Sequence, residues 1–298
     1  MKNKEIEYIE LRHSTHKLSV VMMSRFKRSW YLFRASLHVL NKDRELLVFP
    51  LISGVLTLAI VATFIIPFTW AATSGYDISV NMPIWGTYIG IFVFYLISYS
   101  ITYYFNSAIV ACAIYRMKGG DPDLKGGFRV ATARFKEIFG WALVSATIGI
   151  LLKHVQSKSN GLGSLFAGIA GIAWSVVSYL VIPIIVMEKI GPIDALKESG
   201  KLVKQTWGEQ VIGNIGFGVF FSLILLPIIF IIPMLVMSDN VVWYLIGISV
   251  LVIYITLISL VHTTLLSIFQ SALYLYAREN FVPEGYDRAI LRESVTKD

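Results

Sequence analysis

The chain has 298 residues, of which 56% are apolar and only 15% charged, and its mean hydropathy is +0.67. Soluble domains carry about 25% charged residues and do not leave this much apolar surface in water. A net charge of +7 suits nucleic acid or an anionic membrane surface; here the cations flank apolar runs, which argues against nucleic acid and for the membrane.

Residues 1–24 are expected to be a mobile cytoplasmic tail, with neither the h-region and cleavage site of a secretory signal nor a lipidation motif. Beyond them, Phe26, Trp30, Phe33, Leu37 and Leu40 recur at steps of 4, 3, 4 and 3 among Arg25, Lys27, Arg28, Arg34, Lys42 and Arg44. Such a basic amphipathic helix lies in the headgroup plane.

A span needs roughly 20 apolar residues to cross about 30 Å of hydrocarbon. Charges set the limits, since each one at mid-bilayer costs about 2.5–3.5 kcal/mol. The runs 46–70 and 85–115 read as the first two spans. Gly119-Gly120-Asp121-Pro122 then breaks the chain, with Asp121 expected as helix N-cap and Pro122 at N1. Leu124, Phe128, Ala131 and Phe135 share one face of the next helix, and Lys125 and Arg129 the other. Runs 138–152 and 162–187 give spans three and four. Gly191-Pro192 opens a third basic helix, with Ile193, Leu196, Gly200, Val203 and Trp207 inward and Lys197, Lys201 and Lys204 outward. Runs 211–237 and 241–277 complete six spans, and the last would be about 55 Å long as a helix. Residues 25–290 are thus expected to be one transmembrane domain, and 291–298 a cytoplasmic tail.

Lys and Arg alternate strictly between the two sides. Ten precede the first span, six lie at 116–136, four at 189–204 and four after Tyr276. The opposite connections hold only Lys153 and Lys158. The positive-inside rule puts both termini in the cytoplasm, in an inner or plasma membrane.

A repeat underlies this order. At an offset of 72, Leu124-Lys125 answers Leu196-Lys197, Arg129 answers Lys201, Phe135 answers Trp207 and Glu137 answers Glu209. The first basic segment is a more divergent copy, with Glu45 ahead of its span. The expected fold is therefore all-α: a polytopic membrane bundle of about six helices in three hairpins, each preceded by a basic interfacial helix.

Polar groups at membrane depth are costly. Tyr103, Asn106, His262, Thr263 and Gln270 form a candidate intramembrane cluster between spans two and six. They read either as a polar pathway with His262 titratable, or as interhelical hydrogen bonding. No acidic or basic residue lies deep in a span, which favours the second reading over ion-coupled transport. Ala167, Gly171 and Ser175 form a small-residue stripe that lets a helix approach closely. Pro183, Pro227 and Pro233 are expected to kink or interrupt their helices.

Motifs for catalysis or cofactor binding are absent: there is no GxxxxGK[ST], GxGxxG after a strand, HExxH or GxSxG. His13, His16 and Glu10 would ligate a metal only if that tail were helical, and a solvated tail is the simpler reading. Cys112 is the only cysteine and reads as a small buried residue. No catalytic residue, cofactor or metal is expected.

Several motifs together carry a resemblance. They begin with Arg28-Ser29-Trp30, Ala35-Ser36, Lys42-Asp43-Arg44-Glu45-Leu46 and Phe49-Pro50-Leu51, and continue through Tyr104-Phe105-Asn106-Ser107-Ala108 and Gly119-Gly120-Asp121-Pro122. Trp174-Ser175, Pro183, Glu188, Gly191-Pro192, Ala195-Leu196-Lys197-Glu198-Ser199, Thr206-Trp207-Gly208-Glu209, Ala272-Leu273-Tyr274 and Tyr276-Ala277 complete the set. Over about 28–290 the chain resembles a widespread family of uncharacterised multi-pass membrane proteins, defined as a domain of unknown function. The resemblance implies a helical membrane domain and no established activity. A fainter likeness is to the membrane domains fused to some glycerophosphodiester phosphodiesterases, whose catalytic residues sit in a soluble domain this sequence does not contain.

The expected function is a non-enzymatic scaffold, assembly or lipid-interacting component. Arg25, Lys27, Arg28, Arg34, Lys125, Arg129, Lys197, Lys201 and Lys204 are the candidate contacts to anionic headgroups, beside a possible membrane or cytoplasmic protein partner. The alternative is a transporter or channel for a small or amphiphilic solute.

Overall fold

A computed structural model describes residues 25–74, 84–158, 162–206, 222, 224–236 and 241–287. The tails 1–24 and 291–298 and about half of the expected fifth span lie outside the described residues. The described secondary structure is helical, without a strand. Helix α1 is Arg25–Lys42, and a 3-10 turn, Arg44–Leu47, joins it to α2, Val48–Thr73. Then come α3, Ile84–Met117, α4, Leu124–Ala133, and α5, Phe135–Lys158. Helices α6, Leu162–Val177, and α7, Val181–Glu188, share the fourth apolar run. Helix α8 is Pro192–Thr206, α9 is Pro227–Val236 and α10 is Val241–Glu279. Among the described residues, five stretches are long and apolar enough to cross a membrane: Arg44–Phe64, Tyr88–Met117, Phe135–Lys158, Gly163–Glu188 and Val242–Glu279. The chain is an all-α polytopic helical bundle.

Helices α3, α7 and α10 touch one another and make the centre. The basic helices wrap around it in order: α4 packs on α3, α8 on α6 and α7, and α1 on α10. Each basic helix thus lies on the span that precedes it, and α1 closes the ring on the last one. Aligning Glu45 with Glu137 and Glu209 makes the repeat visible in the burial. Ala35, Gly127 and Ser199 then share one position, and all three are buried. Leu46 and Phe49 match Ile138 and Trp141, again all buried. On the spans, Ala108–Val110 and Cys112–Ile114 match Leu180–Ile182 and Ile184–Val186, residue for residue in the core.

Gly127 shows why this position is small. A Cβ added there would meet Cys112 Sγ and Phe49 Cζ at 2.7 Å and the Ala108 carbonyl oxygen at 3.2 Å. The neighbouring Phe128 fills the groove instead, edge-on to Phe49 at 5.1 Å and to Phe105 at 5.9 Å.

The core occupies one end of the bundle. On α3 the buried hydrophobics run from Phe105 to Met117, and on α10 from Leu265 to Leu275. Away from that end, Leu51, Val55 and Leu58 of α2, Phe166 and Ile169 of α6 and Val250, Ile253 and Leu257 of α10 are exposed. Trp70, Trp85 and Trp243, each about two-thirds exposed, cluster at the opposite end. From Phe49 to Trp70 is about 32 Å of helix at 1.5 Å per residue, close to the thickness of a hydrocarbon core. Exposed indoles at that depth match the aromatic belts of membrane proteins.

Three local expectations shift by a residue or two. The α4 N-cap is Asp123, not Asp121: its Oδ1 accepts the Gly126 N–H at 2.8 Å. Asp121 is drawn off by Arg116 instead. In α1 the buried face is Leu32, Ala35, Ser36, Val39 and Leu40, so Trp30 stays exposed and stacks on Phe33 at 5.4 Å. In α8 the buried face is Ala195, Ser199, Leu202 and Val203, leaving Ile193 exposed. The apolar stripe read from sequence lies beside the buried face, because small residues rather than aromatic ones permit the close crossing. The last run forms one helix of 39 residues, and its buried residues lie between Thr264 and Leu275.

Gly127→Val should overpack the crossing and destabilise the fold by about 1–3 kcal/mol. Gly171→Ala should not, since nothing lies within 4 Å of its added Cβ. Thermal unfolding of the two variants in detergent separates them: a lowered midpoint for the first and none for the second.

Candidate functional site

Helices α3, α7 and α10 end together, each beside a left-handed residue: Gly119 at φ 87°, Lys189 at 59° and Asn280 at 50°. Carbonyls without intrahelical partners point out of such ends and favour cations. Arg116 answers this by forking onto the largely buried Asp43 with Nε and Nη2, while Nη2 also reaches Asp121 at 2.5 Å. Lys118 Nζ lies 2.8 Å from Glu279. Arg278 lies 2.8 Å from Glu198 of α8 and 3.2 Å from Glu188, whose other oxygen accepts the Tyr274 hydroxyl at 3.1 Å. These pairs tie α1, α3, α7, α8 and α10 together. Lys201 first, and Arg278 beside it, hold the Glu198 carboxyl below its usual range against the opposing effect of burial.

A cleft of about 680 Å³ opens beside this network. Ile114 and Val186 belong to its apolar wall, and Asp121–Asp123 with Gly126 and Gly127 form another side. Lys118, Arg129, Arg134 and Lys189 supply four cations. Among the described residues, Arg129, Arg134 and Lys189 have no carboxylate within 4.0 Å, and the buried Nε of Arg134 has no hydrogen-bond partner. Cys112 forms part of the lining; its Sγ lies 3.7 Å from the Asp123 carbonyl.

On the other flank, the fourth span is broken between Val177 and Val181. Pro183 has no N–H to offer the carbonyl four residues back, so a continuous helix loses a bond there. The break leaves the Leu180 N–H free, and the buried Ser199 hydroxyl accepts it at 3.1 Å. Ser199 is the counterpart of Gly127, and Leu180 that of Ala108. The same crossing thus serves close packing in one unit and a backbone hydrogen bond in the next.

The structure divides the intramembrane cluster read from sequence. Asn106 Oδ1 lies 2.5 Å from the Ser267 hydroxyl, whose single proton it shares with the Thr263 carbonyl at 2.7 Å. Tyr103 faces the other way, donating to Ser145 of α5 at 3.2 Å and packing on Trp141. His262 and Gln270 are half-buried on α10. Arg34, Lys125, Arg129, Lys197, Lys201 and Lys204 are exposed; Lys197 pairs with Asp194 at 3.3 Å and Lys201 with Glu198 at 3.2 Å. The side chains of Arg25, Lys27 and Arg28 lie outside the described residues. Of the small-residue stripe, Ala167 is buried, Gly171 meets open space and Ser175 is exposed. Sequence reasoning missed Asp43, Arg134, Lys189 and Ser199 as site residues. Asp43 and Ser199 stand inside the motifs of the family resemblance, which was their only signal.

Ser199→Ala should orphan the Leu180 N–H and cost about 1–3 kcal/mol, read as a lower unfolding midpoint in detergent. Glu198→Gln should be destabilising at neutral pH. A depressed carboxyl pKa contributes stability that is lost as pH falls through the lowered value. The midpoint difference between wild type and Glu198→Gln should therefore begin to narrow near about pH 4.3, the free-glutamate value, and close once the pH is below the lowered folded-state value.

No curated protein and no solved structure matches the chain. The likeness to glycerophosphodiester phosphodiesterase membrane domains therefore has no support in these comparisons. The model of a family of unknown function (DUF6159) matches residues 86–283, about two thirds of the chain. The match takes in α3 to α10 and both crossings, at Gly127 and at Ser199, while the motifs from Arg28 to Leu51 precede it. The chain belongs to the family of unknown function DUF6159.

Proposed function

We propose that this protein is a non-enzymatic membrane component whose charged end engages anionic lipid headgroups and holds the bundle at that surface. One observation carries the reading. The helices ringing that end expose Arg34, Lys125, Arg129 and Lys204, none of them in an ion pair among the described residues. Each cation near an anionic leaflet adds about 1 kcal/mol of attraction. Trp30, Tyr115 and Phe135 are exposed at the same end and suit the headgroup layer. In this reading the charged end is cytoplasmic, with both termini on that side. The count of 24 Lys and Arg against two supports it.

Transport of a small solute is the rival reading. It draws on the intramembrane polar residues, but Asn106 and Tyr103 are engaged in joining α3 to α10 and α5. A scaffold that gathers a membrane or cytoplasmic partner at the same face remains part of the proposal.

Two measurements test it. An impermeant maleimide should label Ser74→Cys in intact cells and Lys125→Cys only after permeabilisation; the opposite pattern rejects the orientation. Arg34→Glu/Lys125→Glu/Lys204→Glu should abolish most of the thermal stabilisation that anionic lipid gives the purified protein. An unchanged stabilisation rejects the lipid reading.

A further inference from the structure

Three of the four cations that line the cleft are left without a carboxylate among the described residues. Arg116, Lys118 and Arg278 each meet a carboxylate, but Arg129, Arg134 and Lys189 do not among the described residues. They come from three places: α4, the α4–α5 junction and the end of α7. Lys189 takes a left-handed backbone at φ 59°. A glycine would adopt that conformation without strain; the lysine instead keeps a cation on the cleft wall. The cleft is open enough to hold a small molecule.

We infer that this cleft is a binding site for a phosphoryl anion, and that Arg129, Arg134 and Lys189 are its donors. A phosphate offers oxygens in several directions and so accepts from donors on different elements. A carboxylate would satisfy one guanidinium fork and leave the other cations unmatched. The apolar wall at Ile114 and Val186 continues from the rim towards the bundle core. It suits a phosphate carrying an apolar portion, as in the headgroup of an anionic phospholipid, and also the phosphate end of a soluble phosphoester. The inference rests on the lipid reading above but narrows it to one saturable site, distinct from the outer cations Lys125 and Lys204.

The test uses the full chain in phosphatidylcholine nanodiscs, with two probes: phosphatidic acid mixed into the disc, and glycerol 3-phosphate in solution. Binding is read by native mass spectrometry and by the shift in unfolding midpoint. One saturable copy should bind, and Arg129→Gln/Lys189→Gln should weaken it at least about tenfold. Both residues are exposed, so this variant tests the site even where Arg134→Gln fails to fold. Binding of phosphatidic acid alone supports the site and assigns a lipid headgroup. Binding of glycerol 3-phosphate with the same variant sensitivity supports it and assigns a soluble phosphoester. Wild-type affinity in the double variant, or no saturable binding of either probe, overturns the inference. Lys125→Gln/Lys204→Gln should reduce the general enrichment of anionic lipid and leave the saturable copy intact. Unchanged enrichment in that control rejects the broader lipid reading without touching the cleft.

Discussion

Close crossing of a short helix over the end of a span is the constraint on which the bundle depends. At Gly127 the two backbones come so near that a single methyl group would strike Phe49, Cys112 and the Ala108 carbonyl. At Ser199 the same proximity lets a hydroxyl reach the free N–H of Leu180. Ala35 holds the corresponding place in α1, where its neighbour Ser36 shares a 2.8 Å hydrogen bond with the Tyr286 hydroxyl. Small residues set the spacing, and larger neighbours such as Phe128 then fill what the spacing leaves. Without that approach the basic helices would have no buried face, and the ion pairs from Arg116 and Arg278 would lose their geometry.

The two ends of the bundle are built on different physics. At the charged end, side chains interlock, carboxylates meet cations and the helix termini are capped by Asp123 and by left-handed residues. Further along, the same helices expose leucine, isoleucine and valine along their length. Packing has no hydrophobic advantage over lipid tails in a bilayer, so spans can separate there at little cost. Interlocked packing is therefore concentrated at the charged end, which is also where the cleft lies.

Much of this architecture was legible in the sequence. Charge-free runs marked the spans because a buried charge is too costly to hide in a span, and the offset of 72 marked the repeat. The faces of α1 and α8 were misread by one residue. Hydrophobic periodicity selects the largest side chains, whereas the crossing selects the smallest, and the two lie side by side on a helix. Asp123 displaced Asp121 as cap because a distant arginine competed for the latter, which no local pattern encodes. The cleft was half legible. Arg129 stood out as a basic face and Arg134 follows it at the end of α4, but Lys189 joins them only because α4 and α7 both pack on α3. The break at Ser178–Leu180 was foreshadowed by Pro183, although its partner Ser199 lies 19 residues further on.

The closure of the ring by α1 has a topological consequence. Residues 283–287 lie across α1, with Tyr286 buried against Ser36, Glu284 3.0 Å from Lys42 and the Gly285 carbonyl 3.5 Å from the Tyr31 hydroxyl. The beginning and the end of the described chain are thus neighbours in space. What reads as a linear series of three units is a cycle cut at one point. A rearranged gene that joins Asp287 to Arg25 through a short linker and opens instead at Gly119-Gly120 would meet the same neighbours in the same places. Which unit is synthesised first is therefore a matter of biogenesis rather than of the final packing.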